Sequence, residues 1–527
     1  MPSTTGCTLI DAITCDLTQP KEARMDNLNQ LRIRAASLFQ ANRLDEARNT
    51  CEQVLQSAPR DLDALNLLSI ICGMQGNYPE CEKFCRKALK IKPNTIAIVN
   101  NLGNALKFQK KHTEAKKLYK KVITLDPRHA DAYSNLGSIH WQQGNNEEAL
   151  KCYRKALNLN PDNINALTNL GILLQENDDF EGAASHYSRA EALNPNNLDL
   201  IYNISTFLSK QQKHEKVHDY LKKLLALSPA HVKGWQLLAT TLHKLKDTST
   251  AIDCFRRAIE IDPDDADAYL GLGLVLNEAG RKEEATEAFV KILEMDPSHE
   301  EASFWLAILG KQAIPAQCPK DYVSSLFNNY ADIFDQHLVN KLEYGTPERL
   351  RELFNTGVQP VPGHLSILDL GCGTGLSGAA FQDIAGYMAG IDLSEKMIDK
   401  AKARDIYDEL IVDDIVSGMA KISRRFDLAI CVDTFIYVGD LGEAVEKTAC
   451  MLEDDGHFAF SIEKLDENSN YRLNETGRYS HSESYIRQIL KANRLNVIAV
   501  HDGILRKEDN VPMLGQYFIA RKVIQTC

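Results

Sequence analysis

The stretch "LDPRHADAYSNLG" (residues 125–137) returns in altered form as "IDPDDADAYLGLG" (residues 261–273). Its proline belongs to a series with a constant step of 34 residues, at positions 59, 93, 127, 161, 195, 229, 263 and 297. Each interval holds two amphipathic stretches with helical spacing, and the proline ends the second. One helical pair cannot bury its own apolar face, so the repetition predicts a stack of helix pairs.

Small side chains recur at fixed positions of the repeated unit. If each unit is counted from three residues after a proline, the eighth position is always small: Ala35, Ser69, Gly103, Gly137, Gly171, Ser205, Ala239 and Gly273. The twentieth position is small in most units, with Ala47, Ala115, Ala149, Ala183, Ala251 and Ala285. Small residues let two helices approach closely, so we expect the helices of a unit to meet at these positions. Aromatic residues recur at the twenty-fourth position: Tyr119, Tyr153, Tyr187, Phe255 and Phe289.

This pattern resembles the tetratricopeptide repeat, and the resemblance covers residues 28–299. It implies an α-solenoid of eight repeats, a fold that presents a concave groove to a partner. The stretch "EEASFWLAILG" (300–310) restarts the pattern without completing it, which predicts a capping helix. We therefore expect an N-terminal tail over 1–27, a capping helix and linker over 300–321, and a further domain over 322–527.

Asparagine occupies the sixth position of four successive repeats, a position that faces the inner surface of such a superhelix. An asparagine amide can both donate and accept, so a row of amides can pair with an extended peptide backbone. The row resembles the asparagine ladder in the repeats of O-linked N-acetylglucosamine transferase. The alternative is a merely solvated polar face. The predicted ladder consists of Asn101, Asn135, Asn169 and Asn203.

The periodicity changes after "IPAQCP" (314–319), a segment that breaks the helix. Strand-like runs then follow, helical segments separate the first five, and a hairpin-like stretch joins the last two. This alternation predicts a doubly wound α/β sheet that ends on an antiparallel strand. The strand-like runs lie at 365–370, 387–392, 409–414, 426–433, 456–463, 495–500 and 515–521.

The stretch "ILDLGCGTGLSG" (367–378) contains two overlapping glycine patterns. Gly373 begins G-x-G-x-x-G, which ends at Gly378 and by itself is a weak sign of a dinucleotide site, where a pyrophosphate lies at a helix N-terminus. Asp369 begins D-x-G-x-G-x-G. S-adenosylmethionine has an ammonium and a ribose diol and no phosphate. It is favoured here by the acidic start of the pattern, by the acidic ends of the next strands and by the closing hairpin.

Each polar group of S-adenosylmethionine has a predicted partner. We expect Asp369 to serve the ammonium, directly or through water, and Asp392 to accept from the ribose hydroxyls. The adenine amine is assigned to Asp414 or to Asp413. The backbone is expected to bend tightly under the methionine end at Gly371, Gly373 and Gly375.

The C-terminal part resembles the class I S-adenosylmethionine-dependent methyltransferases, through "ILDLGCGTG", "GIDLSEKMIDKAK", "FDLAICVDTFIYVGDL" and "LEDDGHFAFSIE". The whole chain is similar to predicted bacterial methyltransferases that carry tetratricopeptide repeats. The resemblance implies a Rossmann-like domain with a seven-stranded sheet. It also implies a lid helix of the form F-D-x-x-A-x-x-Y-D, here "FNNYADIFD" (327–335). Phe334 replaces the usual tyrosine, and Tyr330 could supply a hydroxyl to the cofactor instead.

The methyl acceptor is expected beyond the ends of the fourth and fifth strands, where ligands bind in such sheets. His481 is the natural general base because imidazole titrates near neutrality. The alternative is that His481 has only a structural role, in the first turn of a helix capped by Ser480 and Glu483. Tyr437 and Tyr479 complete the catalytic candidates. The same region contains Asp433, which joins the cofactor-binding candidates, and Thr434, Arg472 and Arg478.

Composition narrows the possible partners. The net charge of −12 argues against binding to bare nucleic acid, which requires a concentrated basic face. The 13 cysteines contain no C-x-x-C pair, which favours a reducing compartment. No apolar run approaches the ~20 residues of a membrane span, and Asp11 and Asp16 interrupt any signal-like start. The sequence predicts a cytoplasmic protein with no metal site and no membrane contact.

These features together predict an S-adenosylmethionine-dependent methyltransferase whose repeats recruit a protein, as substrate or as tether. Two alternatives stay open. The first is a small-molecule methyltransferase that uses its repeats only for assembly. The second is a scaffold with an inactive methyltransferase half, which the intact Asp369, Asp392 and Asp414 disfavour.

Overall fold

A computed structural model describes residues 21–331, 334–342, 344–466, 469–508 and 511–523. Contacts divide the chain into two units, Met1–Lys246 and Asp247–Cys527. Most of the predicted N-terminal tail, including Asp11 and Asp16, lies outside the described residues. In the described part, no helix combines the length and the apolar character needed to cross a membrane.

The first unit is built of helices in pairs, and from α2 onward equivalent helices start 34 residues apart, as the proline series predicts. The first helix starts earlier, at Lys21, so residues 21–27 of the predicted tail are helical. The second helix of each complete pair ends two residues before a proline, as with Ser57 and Pro59. The helices are α1 (Lys21–Gln40), α2 (Leu44–Ser57), α3 (Leu62–Met74), α4 (Tyr78–Ile91), α5 (Ile96–Phe108), α6 (His112–Leu125), α7 (Ala130–Gln142), α8 (Asn146–Leu159), α9 (Ile164–Glu176), α10 (Phe180–Leu193), α11 (Leu198–Lys210), α12 (His214–Leu227) and α13 (Val232–Lys244).

The small and aromatic positions of a repeat face each other. A Cβ atom added at Gly137 would lie 2.7 Å from Tyr153 Cε1, and one at Gly103 would lie 2.7 Å from Tyr119 Cε1. Both rings are fully buried. Glycine at the eighth position therefore makes room for the aromatic ring at the twenty-fourth, as the repeat pattern indicates.

The second unit begins with the remaining repeat helices and continues into the α/β domain. The predicted capping helix is present as Glu300–Ile308. Three further helices precede the sheet. The helices of this part are α14 (Thr248–Ile261), α15 (Ala266–Glu278), α16 (Lys282–Met295), α17 (Glu300–Ile308), α18 (Lys320–Tyr330), α19 (Phe334–Lys341) and α20 (Thr346–Gly357).

The sheet has the predicted doubly wound form with an antiparallel closing strand. Its principal strands lie in the order β3-β2-β1-β4-β5-β9-β8, and β9 is antiparallel to both of its neighbours. The elements are β1 (Leu365–Leu370), α21 (Leu376–Phe381), β2 (Ala385–Asp392), α22 (Glu395–Lys402), β3 (Glu409–Val412), α23 (Ile415–Met419), β4 (Phe426–Cys431), α24 (Gly442–Met451), β5 (Leu452–Lys464), β6 (Tyr471–Leu473), β7 (Tyr479–His481), α25 (Glu483–Ala492), β8 (Leu495–Glu508) and β9 (Val511–Lys522).

Alternate residues of the central strands enter two separate cores. In β1, Leu368 packs in a cluster with Phe458 and Phe518, whereas Ile367 packs in another with Phe354. A strand covered on both faces is apolar at successive positions, which explains why Ile367, Leu368 and Leu370 are all apolar. The two cores fix the sheet between its helices and align the strand ends.

The short hairpin of β6 and β7 was not anticipated from the sequence. β7 pairs with the end of β5, where Glu463 faces Ser480 and Lys464 faces His481. The predicted capping box of Ser480 and Glu483 is therefore wrong, because Ser480 belongs to a strand. Helix α25 is capped instead by Ser482, whose Oγ accepts from Tyr485 N.

The capping helix α17 packs against the α/β domain. This contact explains why the division of the chain falls after Lys246 and not near residue 322. Phe304 of α17 shares a buried cluster with Cys318 and Tyr479. Lys282 Nζ lies 2.7 Å from Glu475 Oε1. The end of the repeat region is thus part of the support of the α/β domain.

Replacing Gly137 by alanine should destabilise the repeats, because the new methyl group would overlap the Tyr153 ring. We expect a loss of about 1–3 kcal/mol in the free energy of unfolding. Urea denaturation of the intact chain, followed by far-ultraviolet circular dichroism, measures it.

Ser69→Ala is the matched control, since Ser69 holds the same repeat position opposite the smaller Cys85. It removes one hydrogen bond to Asn66 O, so the expected loss is about 1 kcal/mol or less. Equal losses in the two variants would contradict the steric account.

Candidate functional site

A cavity of about 790 Å³ lies at the C-terminal ends of β1 to β4. The turns that follow these four strands form its floor, and α18 and α19 line it from the other side. This edge of a parallel sheet is where ligands bind in doubly wound folds. The volume is within the ~300–1,000 Å³ range of small-ligand pockets.

The glycine turn after β1 has a left-handed backbone. Gly371 has φ of 73° and Gly373 has φ of 55°, and both line the cavity. A Cβ atom at Gly371 would lie 2.1 Å from Thr434 Oγ1, whereas one at Gly373 would meet no atom within 4 Å. Gly371 therefore allows the turn to contact the loop after β4. Gly375, with φ of 90°, lies beneath the turn and does not line the cavity.

Asp392 ends β2 at the cavity wall. Its Oδ2 accepts from Gly373 N at 2.9 Å and its Oδ1 accepts from Ser394 N at 2.8 Å. Burial raises the pKa of this carboxyl to about 6, against the opposing effect of these amides. At neutral pH the side chain is an anionic acceptor beside the glycine turn.

Asp414 also lines the cavity and caps α23. Its Oδ1 accepts from Val416 N and Ser417 N, each at 3.1 Å, and its Oδ2 accepts from Lys320 Nζ at 2.7 Å. Burial alone would raise its pKa, but Lys320 and the amide of Ser417 hold the pKa well below its usual range. Asp413, the alternative from the sequence, lines the cavity as well and pairs with Lys421 at 2.7 Å.

Asp369 does not line the cavity, and its contact with a ligand ammonium, direct or through water, stays a prediction. The side chain is fully buried below the glycine turn, and its Oδ2 accepts from Ser377 Oγ and Tyr407 Oη, each at 2.7 Å. Burial raises its pKa to about 6. Asp369 supports the turn from beneath, a role that the motif alone does not distinguish from ligand contact.

Asp433 follows β4 with a left-handed φ of 54° and lines the cavity. Its Oδ1 accepts from Ser461 Oγ at 3.1 Å, and its Oδ2 lies 3.5 Å from a guanidinium nitrogen of Arg506. Burial raises the pKa of Asp433, and the Arg506 charge opposes this. Arg506 also pairs with Glu463 and is 4% exposed. Nothing in the sequence near β8 had marked Arg506.

Two of the three catalytic candidates lie away from the cavity. His481 is fully buried, and its Nε2 donates to Val438 O at 2.9 Å and Gly439 O at 3.0 Å. Burial lowers its pKa to about 4. Tyr479 is buried and donates to Pro315 O at 2.9 Å. Both predictions of a chemical role are corrected, because these side chains hold the β6–β7 hairpin in place.

Tyr437, the third candidate, does line the cavity, as do Thr434 and Arg478. The Tyr437 ring meets Phe327 of α18 edge to face, with 5.3 Å between the ring centroids. Burial raises the pKa of its hydroxyl, which hydrogen-bonds to Arg478. Arg472 is exposed and does not line the cavity.

The helices α18 and α19, here called the lid, contact each of the first three strand-end turns by one side chain. Asp335 accepts from Thr374 Oγ1 at 2.5 Å, after β1. The contact after β2 joins Ser394 Oγ to Asn328 Oδ1 at 2.7 Å. The contact after β3 is the Lys320–Asp414 pair. The resemblance had singled out Asp335, whereas no local pattern marks Lys320 or Asn328.

The lid also carries Tyr330 and His337, and both line the cavity. The Tyr330 hydroxyl hydrogen-bonds to His337 Nδ1. Tyr330 was a candidate from the lid motif. His337 was not, because its position two residues after the motif gives no local signal.

The predicted ladder lies on successive first helices of the repeats, and its four side chains are half-buried. Asn135 Nδ2 donates to Asn104 Oδ1 at 3.0 Å and Asn169 Nδ2 donates to Ser138 Oγ at 3.1 Å. Asn135 Oδ1 also accepts from Lys107 Nζ at 3.2 Å. Part of the ladder therefore joins neighbouring repeats to each other.

Family comparisons agree with this architecture. A methyltransferase-domain family matches residues 367–456, the segment that supplies the cavity floor. The chain combines tetratricopeptide repeats with a methyltransferase domain. Tetratricopeptide repeat families match residues 38–104, 109–144, 130–163, 152–184, 239–280 and 266–299.

Two curated relatives are methyltransferases. An 18S rRNA (guanine-N(7))-methyltransferase of Bos taurus is 39% identical over 66 residues, which is 12% of this chain and 24% of the relative. A ubiquinone biosynthesis O-methyltransferase of Coxiella burnetii is 29% identical over 98 residues, which is 18% of this chain and 42% of the relative. The chain thus spans less than half the length of either relative.

Among solved structures, the chain is similar to one titled "Crystal structure of APC/C hetero-tetramer Cut9-Hcn1". The TM-score is 0.45 and the sequence identity 18%, and the match covers 53% of this chain and 55% of the other.

Replacing Lys320 by methionine should loosen the lid, because it removes the charged partner that the lid contributes to the Lys320–Asp414 ion pair. We expect amide hydrogen exchange over residues 320–330 of the intact chain to be about 2- to 5-fold faster, as befits a half-exposed ion pair.

Lys421→Met is the matched control. Lys421 pairs with the adjacent Asp413 at the same 2.7 Å and is 56% exposed, against 50% for Lys320, but it does not belong to the lid. Faster exchange of the lid in Lys421→Met, or unchanged exchange in Lys320→Met, would show that this ion pair does not hold the lid.

Proposed function

We propose that the protein is an S-adenosylmethionine-dependent methyltransferase whose repeats recruit a protein partner. The observation that carries the cofactor assignment is the position of Asp392, an anionic acceptor hydrogen-bonded to the left-handed glycine turn at the cavity wall. When bound, the cofactor supplies a methyl group activated by a sulfonium. Asp392 would accept from the ribose diol, and Asp414 or Asp413 would meet the adenine.

The charge of the cavity floor favours this cofactor over a dinucleotide. Asp392, Asp413, Asp414 and Asp433 all line the cavity at the ends of successive strands. Asp413, Asp414 and Asp433 are paired with Lys421, Lys320 and Arg506, so the charge beside the glycine turn is that of Asp392. This charge repels a pyrophosphate and attracts a ligand with an ammonium and a sulfonium. The open space beside Gly373 leaves room for such a ligand at the turn.

Recruitment of a protein is supported by the repeats. Tetratricopeptide arrays present grooves to partners, and the half-buried ladder offers amide groups at 34-residue intervals. The net charge argues against bare nucleic acid, although one relative is named as an rRNA methyltransferase. The exclusion of nucleic acid, like the cytoplasmic location and the absence of membrane contact, stays a prediction.

A small-molecule acceptor is the second candidate, and the lid favours it. Contacts from Lys320, Asn328 and Asp335 bring α18 and α19 over the strand-end turns, so the cavity is covered. A free small molecule reaches such a cavity more readily than a residue of a folded protein. The repeats would then serve only assembly.

Cofactor affinity should fall as the pH is lowered through 6, because Asp392 becomes protonated and loses its charge. Between pH 7.5 and pH 5 we expect the Kd of S-adenosylhomocysteine to rise about 10-fold. Asp392→Asn should bind about 10- to 100-fold more weakly at pH 7.5 and show little pH dependence. Isothermal titration calorimetry measures both.

Asp414→Asn is the control for the pH dependence. Its carboxyl stays ionised over this range, so the variant should keep the same 10-fold trend whatever its absolute affinity. If the Kd of Asp392→Asn still rose 10-fold between pH 7.5 and pH 5, the group that titrates would not be Asp392.

Replacing Asn101, Asn135, Asn169 and Asn203 together by alanine should abolish methylation of a recruited protein, because each amide contributes on the order of 1 kcal/mol to a peptide contact. The measurement incubates the protein with methyl-labelled S-adenosylmethionine and host lysate and separates protein from small molecules. We expect label in the protein fraction with the natural chain and its loss in the variant. Label confined to small molecules in both would favour the second candidate.

A double variant at Asn101 and Asn203 serves as the control for folding. Asn135 and Asn169 bond to the neighbouring repeat, so their replacement also lowers the melting temperature. Asn101→Ala with Asn203→Ala should weaken capture with a smaller loss of stability. Full methylation of protein in the quadruple variant would show that the ladder is only a polar inner face.

A further inference from the structure

The cavity contains an imidazole that neither the motifs nor the cofactor accounts for. His337 lies on α19 and lines the cavity, and its Nδ1 is hydrogen-bonded to the hydroxyl of Tyr330 on α18. The ring centroids are 5.5 Å apart, with the planes at 74°. Each ring thereby restrains the other, so the imidazole has a defined orientation.

An aromatic wall extends from this pair to the loop after β4. Tyr330 meets Phe334 at 5.3 Å between ring centroids, Phe334 meets Phe327 at 6.0 Å, and Phe327 meets Tyr437 at 5.3 Å. All three contacts are edge to face, with interplanar angles of 73° to 86°. Such a wall suits a flat aromatic ligand, which gains both burial and ring contacts.

The wall lies on the acceptor side of the cavity. Tyr437 follows β4, whereas Asp392, Asp413 and Asp414, the carboxylates proposed for the ribose and the adenine, follow β2 and β3. Arg478, which hydrogen-bonds to Tyr437, brings a positive charge to the same end. The titratable and charged groups that line the cavity together with His337 are Lys320, Tyr330, Tyr344, Asp392, Asp413, Asp414, Asp433, Tyr437, Asp440, Glu443, Arg478 and Arg506, with the thiols of Cys318 and Cys372.

Two other candidates for proton acceptance at this end, His481 and Asp433, are already engaged. His481 is buried with its Nε2 on two backbone carbonyls. Asp433 accepts from Ser461 and faces Arg506. His337, by contrast, uses Nδ1 for Tyr330, and Nε2 is the nitrogen that can meet a ligand.

We propose that His337, oriented by Tyr330, is the proton acceptor for an acceptor substrate that carries an aromatic hydroxyl. The proposal rests on the proposed methyl transfer and names its acceptor class. In the productive tautomer, His337 Nδ1–H donates to Tyr330 Oη, so that Nε2 is unprotonated and can accept.

The hydroxyl proton of the acceptor moves to His337 Nε2, which becomes an imidazolium. The acceptor oxygen forms a bond to the methyl carbon, and the S–CH₃ bond breaks with its electron pair left on sulfur. The imidazolium then loses its proton to solvent. The Arg478 charge favours the phenolate form of the acceptor, because an opposite charge nearby stabilises the ionised state.

The test uses 4-nitrophenol as the probe, because its ionised form absorbs visible light. The intact chain is saturated with S-adenosylhomocysteine, the probe is added, and the absorbance is followed against pH. We expect the bound probe to ionise about 1 pH unit below the free probe, because its proton passes to His337 and the phenolate is stabilised.

Variants show which side chain causes the bound probe to ionise at a lower pH. His337→Gln should abolish it, His337→Gly should regain it when imidazole is added, and Tyr330→Phe should reduce it. His364→Gln, a change at an exposed histidine outside the cavity, should leave it unchanged. A merely structural role of His337 would not be rescued by imidazole.

The outcomes separate the two proposals. Calorimetry with S-adenosylhomocysteine is done first, and no binding there would overturn the proposed function itself. Cofactor binding with no bound probe, or with an unshifted probe, would overturn only the role of His337 and the acceptor class. In a second experiment, N-acetyltyrosinamide competes with the bound 4-nitrophenol. If it displaces the probe, the hydroxyl of the acceptor comes from a tyrosine side chain. If it does not, the hydroxyl comes from a free phenol.

Discussion

The hydrogen bond from Gly373 N to Asp392 Oδ2 joins the turn after β1 to the end of β2, and the candidate site depends on it. The bond requires a left-handed turn, which glycine adopts at little cost. That turn brings Gly371 against Thr434, so the end of β4 is positioned by the same constraint. Asp369 supports the turn from below through Ser377. One local geometry thus organises the floor of the cavity.

The roof of the cavity depends on the end of the repeat region. The segment 314–319 crosses the domain in extended form, where Ala316 O accepts from Gly439 N at 2.7 Å and from Asp440 N at 2.9 Å. Tyr479 secures Pro315, and Phe304 of α17 packs beside it. The lid follows directly from this segment. A domain boundary drawn at residue 322 would therefore separate the lid from what holds it.

The sequence predicts those features that are encoded locally. The 34-residue proline series and the Gly137–Tyr153 type of pairing define the helix pairs, and the apolar "ILDL" run defines a strand buried on both faces. Asp392 was found because it ends a strand. His481 was assigned wrongly, because its burial depends on Val438 and Gly439, some 42 residues away in sequence. The lid contacts of Lys320 and Asn328, and the position of His337, could not be predicted for the same reason.

The most direct measurement is a calorimetric titration of the intact chain at pH 7.5 with S-adenosylmethionine and, separately, with NAD. The account predicts one S-adenosylmethionine bound per chain with micromolar affinity, as expected of a cofactor site, and no heat from NAD. Binding of NAD without binding of S-adenosylmethionine would contradict it.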